Sequence, residues 1–130
     1  MPHLTVEYTS NLAPVARIDA LLAGLSAVLL AQGGAFAPGG IRARALCLEC
    51  YRMADGSGDD AFVHVTLAIA AGRSHDVLDR TVSALFDTLS EHFGELYRRR
   101  YLALSLELRE FGGAYRSLNN IHQRYSTTAA

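Results

Sequence analysis

Pro2 stands directly before a strand-like run, in the string MPHLTVEY. Proline is an unusual opening for most elements, so its chemistry is the first question. A small second residue permits removal of Met1, and the amine then exposed is secondary and ordinarily protonated at neutral pH. Such a nitrogen works as a general base only if its pKa lies near the working pH. Burial against apolar side chains and nearby cations both lower it. Leu4, Val6 and Tyr8 supply an apolar wall, and arginines can supply the positive field. Two arginines stand where a strand meets a loop: Arg42 in GIRAR, and Arg73 in AGRS at a strand-to-helix turn. A guanidinium grips a carboxylate through two parallel bonds. Arg44 shares the strand parity of Arg42 and is the alternative to it. For each arginine a surface ion pair is the competing reading.

The other reactive side chains point to less. His3 and His64 suit hydrogen-bonded roles in a core or interface, and the five histidines show no metal-ligand spacing. Cys47 and Cys50 form one C-x-x-C without a second pair, which reads as two buried thiols rather than a zinc site. NNIH at 119–122 is expected to order the C-terminus against a neighbour, and tail tyrosines and phenylalanines to cover the site. With 12 basic and 13 acidic residues the chain has no electrostatic footprint for nucleic acid or an anionic membrane. No apolar stretch is long enough to span a bilayer. The expected setting is the cytoplasm, with no metal and no cofactor.

The elements that must position these residues follow from periodicity. Residues 3–8 alternate and read as a strand. Val15, Ile18, Leu22, Leu25 and Leu29 recur at helical spacing, with Ser10 or Asn11 as N-cap and Gly33-Gly34 as the stop. Residues 41–52 alternate as a second strand. MADGSGDD is a turn cluster. AFVHVTLAIAA, 61–71, is an apolar strand on both faces. Ser74 caps a second helix whose face is Leu78, Val82, Leu85, Phe86, Leu89 and Phe93, and which ends at RRR, 98–100. Residues 101–110 form the fourth strand, and a polar tail follows.

The order is β-α-β-β-α-β, and the halves match at a constant offset of 61: His3 falls on His64 and Thr5 on Thr66. The expected fold class is α+β: two β-α-β repeats, about 2–56 and 61–111, forming one domain over 1–130 with a tail at 112–130. The four strands form a mixed sheet with two helices on one face. The bare face of that sheet implies a homo-oligomer in which such faces meet.

This layout resembles the tautomerase superfamily, and within it most of all the 5-carboxymethyl-2-hydroxymuconate delta-isomerases. The strings that carry the resemblance are MPH, GIRAR, MADG, AFVHVTL, AGRS, LALSLEL and NNIH, in the family's order over nearly the whole chain. The resemblance implies a cofactor-free homotrimer with active sites near subunit boundaries. It implies that Met1 is removed and that the ring nitrogen of Pro2 is the general base. The implied substrate is a small unsaturated 2-hydroxy or 2-oxo polycarboxylate, such as 5-carboxymethyl-2-hydroxymuconate in aromatic catabolism, isomerised by moving a proton between carbons. Arg42 is then assigned to the 2-oxo acid end and its enolate, and Arg73 to a distal carboxylate. The alternatives are a hydratase or dehalogenase of the same superfamily, and a non-enzymatic trimeric binding module.

Overall fold

The structure is a computed structural model that describes residues 1–125; the last five positions of the expected tail, 126–130, lie outside it. The four strands are β1 (His3–Thr9), β2 (Arg42–Leu48), β3 (Ala61–Ile69) and β4 (Leu102–Glu110), in the sheet order β2-β1-β3-β4. β1 runs parallel to β2 and antiparallel to β3, and β3 runs parallel to β4. Each half is therefore a strand, a helix and a parallel strand, and the halves join through the central β1–β3 pair. Helices α1 (Ile18–Leu30) and α2 (His75–His92) supply the apolar faces that cover one side of the sheet.

Strand alternation decides what is covered, because successive side chains point to opposite faces. On β3, Ala61, Val63, Val65, Leu67 and Ile69 are all fully buried. They meet Leu4 and Val6 of β1, Leu21, Leu25 and Leu29 of α1, and Leu85 and Leu89 of α2. Each of these Val, Leu and Ile side chains contributes about 1.5–3 kcal/mol by leaving water. The opposite face of β3 carries Phe62, His64, Thr66 and Ala68, all half-buried. That face is mixed rather than apolar, contrary to the reading of 61–71 as apolar on both sides. His64 hydrogen-bonds Ser105 (2.6 Å) and Glu107 (3.2 Å), and Glu107 also accepts from Arg109 (2.8 Å). Those two partners hold the Glu107 carboxyl below its ordinary range.

Ser74 caps α2 as expected, its hydroxyl accepting from Val77 N–H at 3.3 Å. The start of α1 differs. Ser10–Leu12 form a short 3-10 turn, and Arg17, at φ 46°, stands at the N-cap. Asn11 is used over a longer range: its carboxamide donates to Asp59 Oδ1 and to Asp60 O, tying the end of β1 to the approach to β3. The second helix breaks near Phe93, and a third, α3 (Gly94–Arg99), follows it. Cys47 and Cys50 are free and exposed, not buried, since Cys47 lies on the edge strand β2 and Cys50 beyond its end. No helix among the described residues is long and apolar enough to cross a membrane.

Candidate active site

Three strand ends meet at one edge of the sheet. Parallel pairing sets His3 opposite Arg42, and antiparallel pairing sets His3 opposite Ala68. The starts of β1 and β2 and the end of β3 are thus neighbours, although they are far apart in sequence. Pro2 is buried at this junction, and its carbonyl accepts from Arg42 N–H at 3.0 Å. The bond pins Pro2 from the carbonyl side.

Arg73 arrives from the turn after β3. Gly72, at φ 119°, takes a conformation that side chains rarely adopt. The Arg73 guanidinium donates twice to Ala35 O (Nε 3.2 Å, Nη2 2.9 Å) and once to Ala70 O (Nη1 3.1 Å). It also lies over the buried Phe36 ring, 4.5 Å from its centroid. Each of its terminal nitrogens carries a second N–H beyond the bond it makes. Arg42, half-buried, donates from Nη1 to Gly40 O at 2.9 Å. Neither arginine is among the ion pairs of the described residues, which are His64–Glu107, Arg100–Asp59 and Arg109–Glu107. Both are held by neutral carbonyls, and their charge is left for an anion.

The field at the terminus shows this charge. The Met1 amine is held below its ordinary pKa, first by burial, then by Arg73 and then by Arg42. The two effects that can tune an amine toward neutrality therefore both act where the chain begins.

Arg44 faces elsewhere. Its Nη1 donates to His3 Nδ1 at 3.1 Å, which makes His3 the acceptor and keeps its ring neutral. Burial first, and then Arg44 and Arg42, lower the His3 pKa. Phe111 and Tyr115 stack on each other (4.2 Å), and Tyr115 Oη lies 3.5 Å from His3 Nε2. These tail aromatics cover His3 on the outer sheet face rather than Pro2.

The sequence reading missed part of the wall. Asn119 Nδ2 donates to Gly39 O (2.8 Å) and to Met1 Sδ (3.3 Å), while its Oδ1 accepts from Ile121 N–H (2.9 Å). NNIH thus bonds the tail to its own chain. The following 3-10 turn, Ile121–Tyr125, packs on another, Pro38–Gly40. The strings APGG and NNIH both read as turns, but nothing local reveals that they touch. A groove of about 580 Å³ also opens between α2, α3 and β4, lined by Phe86, Ser90, Tyr97 and Leu104 among others, but it gathers no comparable charge. Among the described residues no cluster of three metal-ligating side chains occurs.

Comparison with known proteins agrees with the fold. The family model for 5-carboxymethyl-2-hydroxymuconate isomerase matches residues 2–125. The chain is 38% identical, over 94% of its length and 97% of the other's, to the 5-carboxymethyl-2-hydroxymuconate Delta-isomerase of Escherichia coli. It superposes on the crystal structure of a 5-carboxymethyl-2-hydroxymuconate isomerase from Deinococcus radiodurans R1 with a TM-score of 0.92 at 51% identity, covering 95% of this chain and 93% of that one. A symmetric trimer of fused 4-OT shares the fold alone, at a TM-score of 0.69 and 22% identity, covering 91% of this chain and 92% of that one. The family match over nearly the whole length and the relative at 38% identity lead to one conclusion: this chain is an isomerase belonging to the 5-carboxymethyl-2-hydroxymuconate isomerase family.

Proposed function

We propose that Pro2, freed by removal of Met1, is the general base that carries a proton between two carbons of an unsaturated 2-hydroxy or 2-oxo polycarboxylate. 5-Carboxymethyl-2-hydroxymuconate, in aromatic catabolism, is the substrate that the relatives' names favour. The observation that carries the reading is the amine-lowering field at the chain start, set by burial and by Arg73 and Arg42. With Met1 bonded to it, the Pro2 nitrogen is a tertiary amide and has no basicity. Freed, it takes the hydroxyl proton of the 2-hydroxy dienol, or a carbon-bound proton of the 2-oxo form, and returns it to another carbon, so a single base serves both steps. Arg42 stabilises the enolate oxygen and binds the 2-oxo acid end. Arg73, anchored on Ala35 O and Phe36, presents its remaining N–H groups to a distal carboxylate.

A homotrimer fits the same reading. β2 and β4 are the two edges of the sheet, and a fused 4-OT of the same fold is a symmetric trimer. Light scattering on the purified protein gives the mass directly; a monomer at working concentration would refute the trimer.

Ketonisation changes conjugation, so ultraviolet absorbance follows turnover of the dienol. Intact mass should show Met1 absent from the active protein, and Pro2→Ala should lose the absorbance change while keeping the assembly. An unchanged rate in that variant removes Pro2 from the mechanism.

A further inference from the structure

We propose that Asn119, carried on the C-terminal tail, is a substrate-binding residue that shares the 2-oxo acid end with Arg42. The inference rests on the Pro2 reading and adds a residue to the same site. The Met1 carbonyl carbon is bonded to the Pro2 nitrogen, so Met1 marks the space that the freed amine faces. Whatever touches Met1 borders the place of the reacting substrate. Asn119 does so, and Gly40 lies close by. A Cβ on Gly40 would stand 3.3 Å from Met1 Cγ, and Asn119 Nδ2 donates to Met1 Sδ at 3.3 Å. Thioether sulfur is a weak acceptor. A carboxylate or enolate oxygen in its place is a far stronger one for the same N–H.

Asn119 is also fixed well enough for this task. Its other amide hydrogen is on Gly39 O, and its oxygen is on Ile121 N–H. Gly40, whose carbonyl holds Arg42, is next in the chain after Gly39. The donor of Asn119 and the guanidinium of Arg42 are therefore set on one short turn. Glycine at 39 is what lets the tail lie there: a Cβ would come 2.9 Å from His122 N, Cα and Nδ1.

The test uses full-length protein whose intact mass shows Met1 gone, with turnover of the dienol and competitive inhibition by 2-oxohexanoate as readouts. This inhibitor has the 2-oxo acid end and no distal carboxylate. Asn119→Ala should raise KM and the inhibition constant about tenfold or more, the scale of a hydrogen bond to a charged group. The acid limb of the pH profile should stay in place, because the amine and both arginines remain. Asn119→Asp keeps the oxygen that accepts from Ile121 but sets a carboxylate against the substrate, and should bind more weakly than Asn119→Ala. Gly39→Ala should displace the tail and raise KM similarly, and adding Asn119→Ala to it should cost little more. Wild-type KM and inhibition by Asn119→Ala, or Asn119→Asp binding as tightly as wild type, overturns the proposal. Turnover that survives Pro2→Ala would instead sink the Pro2 reading, a result the Asn119 variants cannot imitate.

Discussion

The two halves of the chain share one plan and differ in what stands at the equivalent sheet ends. Shifted by 61 positions, Pro2 falls on Val63, Arg42 on Ala103, and Arg73 on Leu12. Val63 and Leu12 are fully buried core residues. Val63 lies inside β3, so its nitrogen belongs to the sheet ladder and has no means of becoming a free amine. The end of the sheet near the site carries two arginines held by carbonyls. The opposite end is stitched shut by Asn11 on Asp59 and Asp60, by Arg100 on Asp59, and by Phe62 N–H on Thr9 Oγ1. The connections differ too: Pro38–Gly40 lead into β2, while α3 leads into β4. A duplicated frame therefore gives two candidate ends, and only the end at the chain terminus can expose an amine. The other is free to become core and seam.

The strongest way to break this comparison is to remove the terminal amine's special character. Pro2→Ala should lower kcat by about 10²–10⁴, the scale of general base catalysis, as read by the absorbance assay. Arg42→Ala should lower kcat by about 10²–10³ if it stabilises the enolate oxygen. Arg73→Ala should mainly raise KM, and equal effects of both changes on both constants would defeat the division of roles. Its counterpart in the other half behaves differently. Leu12→Ala removes a fully buried side chain and should cost about 2–5 kcal/mol of stability in denaturant unfolding. Turnover per folded molecule should stay near wild type.

The pH profile sharpens the electrostatic side of the contrast. If Pro2 is the base it acts in its neutral form, so activity should fall as pH drops through the amine's pKa. Burial, Arg73 and Arg42 lower the pKa of the Met1 amine, and the same field on a freed Pro2 amine would carry the active range toward lower pH. Taking away Arg73 raises the pKa, and the acid limb of kcat/KM should move to higher pH; a shift to lower pH would contradict the assignment. Least affected should be the exposed stitch at the far end. Asp59→Ala loses an ion pair that is exposed on the Asp59 side, with Arg100 half-buried, and the Asn11 bond, and should change stability by about 1 kcal/mol or less with kcat intact.

Much of this was legible without coordinates. Alternation and helical spacing located the four strands and both long helices, because core burial imposes those periods on the sequence. The element order read from these patterns matched a 61-residue repeat, and Pro2 stood out by its place at the chain start, Arg42 and Arg73 by the family resemblance of GIRAR and AGRS. Local pattern misplaced what depends on distant partners. Asn11 reads as a helix cap yet spends its carboxamide on residues 59–60, and the helix after Ser74 breaks at Phe93, where the pattern runs on. Cys47 and Cys50 read as buried thiols, yet edge position exposes them. Only the folded chain decided that the Arg73 turn, the Arg42 strand start and Asn119 all lie near Met1 at the start of the chain. The sequence determined the periods and the reactive residue types. Antiparallel pairing of β1 with β3 determined their meeting, because strand register is a relation between segments that no local spacing encodes.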